Sequence, residues 1–443
     1  MTRAFKFRFY PTDAQAAALL RTFGCVRKVY NLALAARTEA WVTRQERVNY
    51  YATSALLTAW KKTEELAFLN EVSSVPLQQT LRHLQTAFVN FFGNRARYPR
   101  FKSRKRSRRS AEYTLSAFRY SDGRLTLSKM DEPLDIVWSR RLPDGVSPST
   151  VTVSQDSAGR WFVSLRCQDP TVAPLRTATS AVGIDVGVEH LLTLSTGEKI
   201  SNPRHEGRDQ KKLTRLQRAL ARKAKGDGAN RAKARRKVAR VHARIADRRN
   251  DYLHKITTRL VRDNQTLVIE DLAVRNMVRN RHLALAISDA AWRTFRQQLE
   301  YKAAWYGREV ITLNRWFPSS KLCSACGAQQ DAMPLSVRVW TCTCGVTHDR
   351  DVNAARNLKA AGLAVSACGA DVRPQRNTPS GQSALKQESP SLMKERSQPL
   401  TAPALSPCTR NRCTTAKTST TGTAATTPPA ASAPKSVLNS PSA

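Results

Sequence analysis

The sequence predicts an α/β core with a cysteine ribbon, joined to a small antiparallel β-barrel that carries an inserted helical lobe. Three observations carry that prediction. Val182 to Leu194 (VGIDVGVEHLLTL) forms two apolar, β-branched runs about a glycine turn, with one carboxylate, Asp185, inside the first. Glu112 to Gln168 alternates with period two, whereas the stretch before it repeats with helical spacing. Four cysteines in two close pairs, Cys323 with Cys326 and Cys342 with Cys344, stand just ahead of a helical segment, HDRDVNAARNL.

A chain of 443 residues can hold two or three domains with their own cores. Lys and Arg number 73 against 34 Asp and Glu, a net charge of +39. Such a surplus calls for a polyanionic partner, most simply nucleic acid. The basic residues are spread through folded-looking segments, which disfavours a merely solvated basic protein or a membrane-surface binder. No apolar run reaches the ~18 residues of a spanning helix. The opening MTRAFKFRFYP lacks the apolar stretch of a secretory signal. The expectation is a cytoplasmic protein without membrane contact, whose nine cysteines are not structural disulfides.

Taken in order, Phe5 to Tyr10 alternates apolar and basic residues, as a strand with one wet face does. Pro11 and Thr12 end it, and Thr12 or Asp13 is placed to cap the helix that follows. Two helices are expected around Ala14 to Thr22 and Cys25 to Ala40, with a turn at TFGC between them. That pair is either a plain helical hairpin or a helix-turn-helix. Helices continue to about Phe92, and Leu77, Leu81, Leu84 and Phe88 fall on one face as core. From Asn94 to Ser110 the chain is densely cationic, with rings interleaved. Arg97, Tyr98, Arg100, Phe101, Lys102, Arg104 and Lys105 are candidate nucleic-acid contacts, the cations for phosphates and the rings for unpaired bases. A flexible basic loop is the alternative. Asp122-Gly123 marks a two-residue hairpin, and TVTVSQDSAGRWFVSLRC a second one. The opening strand is able to complete this barrel or sheet, which makes residues 1–10 and 111–170 one unit and 11–110 its insertion. Asp169 to Ser180 is a linker.

The core begins at Ala181 and takes in residues 181–321 and 349–370. Within it, residues 209–264 read as a pair of basic helices broken near Gly226 to Gly228. Leu213, Leu216 and Leu220 line one helix, and Val238, Val241 and Ile245 the other. The outer faces are mostly basic, so Arg235, Arg236 and Lys237 are further candidate contacts. Thr266 to Glu270 is an apolar strand ending in a carboxylate, followed by a polar loop from Ala273 to Arg281, a helix around Ser288 to Tyr306 and a strand at Val310 to Leu313. The four cysteines, separated by a loop of about fifteen residues, fit a tetrahedral structural Zn2+ ribbon over residues 322–348. His348 is close enough in sequence to assist. From 371 to 443 there are no aromatic residues, and Pro, Ser, Thr, Ala and Gln dominate. Such a composition cannot offset chain entropy, so a disordered C-terminal tail is expected.

A carboxylate inside an apolar strand is costly unless something pairs with it. Asp185, a strand-end Glu270 and an acid opening the last helix are the parts of an RNase H-like nuclease core. Three such carboxylates hold two divalent metals roughly 4 Å apart, Mg2+ or Mn2+, for phosphodiester hydrolysis. Caps and surface charges are the alternative reading, and the zinc-type cysteines beside the third acid weigh against it. Gly183 and Gly187 bracket Asp185 and permit close approach of another backbone or a ligand.

In combination, YPTDAQ with FGCVRKVYN, YPRFKSR, GIDVGVEHLLTLSTG, IEDLAVRNM, SSKLCSACG and HDRDVNAARNL resemble the TnpB (OrfB) family of bacterial insertion sequences over about residues 1 to 370. The resemblance implies a RuvC-like nuclease that cuts double-stranded DNA paired to a guide RNA made from the transposon end. It implies Asp185, Glu270 and Asp351 as catalytic acids, Asp351 being preferred over Asp349 for its D-x-N context. It also implies a wedge-type barrel and a recognition lobe that read a short motif beside the target. The C-x-C spacing of Cys342 and Cys344 departs from the commoner C-x-x-C. A strand-transfer transposase of the same fold and a non-catalytic nucleic-acid-binding regulator are the other two classes.

Overall fold

A computed structural model describes residues 1–224, 228–334 and 336–367. The expected tail, 371–443, and the last three residues of the expected core lie outside the described residues. One compact unit runs Met1–Arg376, and a second, Asn377–Ala443, falls wholly outside them. Among the described residues no helix is long and apolar enough to cross a membrane.

The first half builds a sheet with a helical insertion. Strand β1 (Thr2–Phe9) buries Phe5, Phe7 and Phe9 on alternate positions. Helix α1 (Asp13–Arg44) opens with a capping box, in which Thr12 accepts from the backbone of Gln15 while the Gln15 side chain returns to Thr12. The expected turn at TFGC is absent, because α1 is one continuous helix of 32 residues. Leu19, Phe23, Val26, Tyr30 and Ala33 keep a single buried stripe through Gly24. That burial outweighs the ~1 kcal/mol that a glycine costs inside a helix. Helices α2 (Tyr50–Trp60) and α3 (Ser74–Phe92) follow, with a 3-10 turn at Glu64–Asn70 between them. The predicted face of α3 (Leu77, Leu81, Leu84 and Phe88) is buried.

Strand β2 (Arg109–Thr114), the hairpin β3 (Phe118–Ser121) and β4 (Arg124–Leu127), β5 (Ile136–Val137), and the hairpin β6 (Pro148–Gln155) and β7 (Trp161–Gln168) complete this half. Asp122 and Gly123 both take positive φ, as the predicted two-residue turn requires. The main sheet has the order β2-β6-β7-β1-β5, with β1 paired antiparallel to β7 along its whole length. The first strand therefore does complete the sheet. The expected barrel is corrected, because the described pairings leave an open five-stranded sheet and a separate β3–β4 hairpin. Strand β5 is two residues long, and Leu125 and Leu127 of the hairpin cover the core by side-chain burial instead of ladder bonds.

In the second half, β8 (Ala181–Val186), β9 (His190–Leu194) and β10 (Lys199–Ser201) form an antiparallel meander. Helices α4 (His205–Ala221) and α5 (Gly228–Asp263) make the basic arm, closed by Leu213, Val241 and Ile245 as the spacing predicts. Strand β11 (Thr266–Glu270) lies parallel to β8. Short helices α6 (Val274–Met277) and α7 (Ala284–Ala290) precede α8 (Trp292–Tyr306), which Ala291, at positive φ, separates from α7. Strand β12 (Glu309–Leu313) lies parallel to β11, giving the order β10-β9-β8-β11-β12. The small strands β13 (Val339–Thr341) and β14 (Thr347–Asp349) pair within the cysteine ribbon, and α9 (Arg350–Ala367) closes the described chain.

This half is three-layered. Val182, Ile184, Leu267 and Ile269 face the layer of α5 and α8, with Leu260, Phe295 and Leu299. Val268 and Ile311 face α9 through Leu358. Two glycines bring α9 down onto the sheet. A Cβ at Gly183 would fall 2.0 Å from the carbonyl oxygen of Ala355, and one at Gly362 would fall 2.5 Å from Val268. The backbone that Gly183 admits is that of α9.

Candidate active site

Period two fixes where the first two acids stand. Ile184 pairs with Ile269 across β8 and β11, and both turn toward α5 and α8. The next residue on each strand, Asp185 and Glu270, therefore turns to the opposite face, the one α9 covers. Asp351 sits in the first turn of α9. All three carboxylates are half-buried at the carboxyl end of the parallel strands, where α/β sheets place their ligands.

The electrostatics of Asp185 record the nearness of the other two acids. Asp185 is pushed up to about 7, by burial first, then by the charges of Asp351 and Glu270, against the pull of Arg350 and Arg338. Glu270 is also pushed up to about 7, by burial and by Asp271. Asp271 is itself spoken for. Burial would raise it, but Arg296 at 2.7 Å and Arg315 hold it below the usual carboxylate range. Asp349 is likewise engaged, accepting from the backbone of Val352 at 3.0 Å as the cap of α9 and from Lys199 at 2.6 Å. These bonds outweigh its burial and keep it low.

The four cysteine sulfurs lie within 4.8 Å of one another, the one such group among the described residues. The backbone of Cys344 holds the Cys342 thiol down at about 6, whereas Cys326, despite the opposing backbone bond of Ala328, is pushed up to about 12 by the neighbouring sulfurs, so the group shares protons that a bound zinc would displace. His348 is buried, with Nε2 3.0 Å from the sulfur of Cys323. The chemistry of this donor set fits zinc, and its one-residue knuckle at Cys342 and Cys344 does not prevent convergence.

Several residues that shape the site carry no clear mark in the sequence. Asn353 accepts from the backbone of Ser324 at 2.9 Å and donates to Leu322 at 2.7 Å. Asn357 donates to Ser319 and Leu322 at 2.8 and 2.6 Å. Spaced one helical turn apart and almost fully buried, they clamp α9 to the first cysteine knuckle. Arg338, from the ribbon, reaches Asp351 at 3.4 Å and Glu189 at 3.2 Å. The i, i+4 spacing of the two asparagines is the one visible signal, and nothing local announces Arg338.

The basic candidates divide. Arg97, Arg100, Arg104 and Lys105 are exposed on the 94–110 loop, with Phe101. Lys102 is half-buried, with its ammonium 3.8 Å above the Tyr30 ring and its backbone N–H donating to the Asn31 side chain. Tyr98 packs edge-on against Phe88 and Phe91 and shares a 2.8 Å hydrogen bond with Thr38, so its ring is partly committed. Arg235, Arg236 and Lys237 are all exposed on α5, and Arg236 lies near the β6–β7 turn, where a Cβ on Gly159 would be 3.7 Å from its Nε.

Family models match three parts of the chain. One described as "Probable transposase" (OrfB_IS605) covers residues 162–281, one described as "Cas12f1-like, TNB domain" covers 292–358, and one described as "Helix-turn-helix domain" covers 1–46. In this structure the last of these contains the unbroken helix α1. A Streptomyces pristinaespiralis protein named "Putative RNA-guided DNA endonuclease" is 67% identical over 387 residues, 87% of this chain and 96% of that protein. An Escherichia coli (strain K12) protein, "Putative RNA-guided DNA endonuclease InsQ", is 36% identical over 402 residues, 84% of this chain and 96% of its own. Among solved structures, "Cryo-EM structure of the Cas12f1-sgRNA-target DNA complex" superposes with a TM-score of 0.52 at 13% identity, covering 81% of this chain and 98% of that one, a likeness of fold. With relatives of this identity along nearly their whole length and the OrfB model across the core, the chain belongs to the TnpB (OrfB) family of insertion-sequence proteins.

Proposed function

We propose that this protein is a transposon-encoded, RNA-guided DNA endonuclease whose RuvC-type, RNase H-like core hydrolyses phosphodiester bonds with two divalent metal ions. One observation carries the reading. Asp185, Glu270 and Asp351 face the carboxyl end of β8 and β11, near enough for the charges of Asp351 and Glu270 to add to the burial that lifts Asp185 to about 7. Such a cluster is unfavourable by itself and is relieved by bound cations. Oxygen donors of this kind suit Mg2+ or Mn2+, whereas the four cysteines suit Zn2+. The sheet order, with β9 antiparallel and β11 and β12 parallel to β8, is in keeping with an RNase H-like core. The printed names of the relatives and the composition of the Cas12f1 complex point the same way.

Asp185, Glu270 and Asp351 would hold the two ions. When bound, the ions supply the Lewis acidity that lowers the pKa of the attacking water and steadies the leaving oxygen. Asp349 keeps α9 capped, and the zinc ribbon with Asn353 and Asn357 keeps Asp351 in place. Arg338 neutralises Asp351 in the metal-free form. The exposed cations on the 94–110 loop and on α5 would grip the backbone of a guide RNA from the transposon end, while base pairing selects the double-stranded DNA target.

The test is to co-express the chain with its transposon flank, sequence the RNA that co-purifies, and offer a matching duplex in Mg2+. The expected outcome is guide-dependent cutting that falls at least about a thousandfold in Asp185→Asn, with RNA binding retained. Joining of transposon ends without a guide would instead assign a strand-transfer transposase.

A further inference from the structure

The register of the second sheet sets a further side chain level with the acids. Asp185 of β8 pairs with Thr193 of β9, and Thr193 pairs in turn with Lys199 of β10. Directly opposed residues share a face, so Lys199 rises on the face that carries Asp185 and Glu270. At ~4.8 Å per strand, its backbone lies about 10 Å from that of Asp185. The Lys199 ammonium donates at 2.6 Å to Oδ2 of Asp349. The other oxygen, Oδ1, accepts the backbone N–H of Val352 at 3.0 Å and so caps α9. One oxygen of Asp349 therefore holds the helix while the other is held by the sheet. Among the described residues, Lys199 is the one strand residue of this sheet hydrogen-bonded to residues 349–353. The other long-range bonds of that turn run to the cysteine ribbon, from Arg350 to Pro334, from Asn353 to Leu322 and from Arg338 to Asp351.

The two side chains are 32% and 34% exposed, and an ion pair in that setting adds little to folding stability. What it does fix is a direction. Site residues must be held within about 0.5 Å of their working geometry, and Asp351 follows Asp349 by two residues, in the first turn of α9. We propose that Lys199 is a positioning residue of the metal centre, which holds Asp349 to β10 and thereby sets Asp351 against Asp185 and Glu270. The expected effect is opposite in sign to plain electrostatics. A lysine near a cation site repels the cation, so loss of its charge alone would tighten metal binding. Loss of a positioning bond weakens it. The inference rests on the nuclease reading above, which supplies the metal centre.

The experiment uses the full chain with its co-purified RNA. Fe2+ replaces Mg2+, and ascorbate with peroxide then yields hydroxyl radicals that cut the polypeptide beside the bound ion. Scission near Asp185 and Glu270 is followed against Fe2+ concentration, with Asp185→Asn as the blank. Lys199→Met should need about tenfold more Fe2+, a loss usual for a partner behind a metal ligand. Lys199→Arg, which keeps donor and charge, should restore most of the wild-type affinity. The Mg2+ requirement of guided cutting should shift in parallel, with the melting temperature in chelator within about 2 °C of wild type. Unchanged or tighter metal binding in Lys199→Met would overturn this inference alone, given scission in the wild type that is lost in Asp185→Asn. A melting temperature that falls together with metal binding would overturn it too, marking Lys199 as merely structural. Scission that persists in Asp185→Asn would remove the two-metal reading and the inference with it.

Discussion

Two carboxyls lifted to about 7, at Asp185 and Glu270, set the pH behaviour of the metal-free chain. Their unfolded values are ~3.9 and ~4.3. Between about pH 4 and pH 7 the folded state keeps protons that the unfolded chain has lost, so stability falls as pH rises through that window. The melting temperature measured in chelator should therefore drop from pH 5 to pH 8. Asp185→Asn should flatten that slope and raise the pH 8 value by a few degrees, of the order that ~1–2 kcal/mol produces in a chain of this size. A wild-type melting temperature independent of pH would contradict this assignment. Asp185 and Glu270 were legible because a carboxylate amid β-branched residues is an anomaly that one strand displays by itself. Lys199 and Arg338 were not, because each gains meaning from partners far along the chain.

Helix α9 shows how an element is placed by several weak signals at once. Gly183 and Gly362 let it touch the sheet, Asp349 caps it, and Asn353 and Asn357 clamp it to the ribbon. Replacing both asparagines by Ala should leave buried groups of Ser319, Leu322 and Ser324 unpaired, at about 1–3 kcal/mol for each bond lost. The expected variant keeps its zinc, melts lower and cuts slowly. Metal analysis, a thermal scan and a cleavage time course check the three parts, and cutting at the wild-type rate would mean that the clamp does not position Asp351. Element identity was legible where the period was long and regular, as in α3, the arm and the β6–β7 hairpin. It failed at Gly24, where a local breaker lost to a stripe of buried side chains on both sides of it. It failed again at the barrel, since closure depends on strand lengths that alternation alone does not fix.

At the scale of the molecule, charge dominates, with 73 basic against 34 acidic residues. The arm is tied back to the first half through Arg160, which bonds Asp156 at 2.7 Å and also pairs with Asp247 on α5. Exposed cations of the arm and of the 94–110 loop thus belong to one compact unit. Guide RNA affinity should fall at least about a thousandfold between 50 and 200 mM salt, the loss expected for some six or more phosphate contacts. Replacing Arg235 and Lys237 by Glu should make that salt dependence shallower by about two contacts in an anisotropy titration. An unchanged slope would take the arm out of the interface. Composition was enough to see the polyanionic partner, because net charge is a sum and needs no geometry.

The spacing of the three acids along the chain has a consequence of its own. Asp185 and Glu270 stand on strands laid down early, whereas Asp351 rides on the last described helix, α9. Chains fold from the amino end as they leave the ribosome. Under the nuclease reading, the basic surfaces that take up RNA emerge before the cutting centre can close. Synthesis itself then imposes an order, with the guide acquired first and the blade armed last.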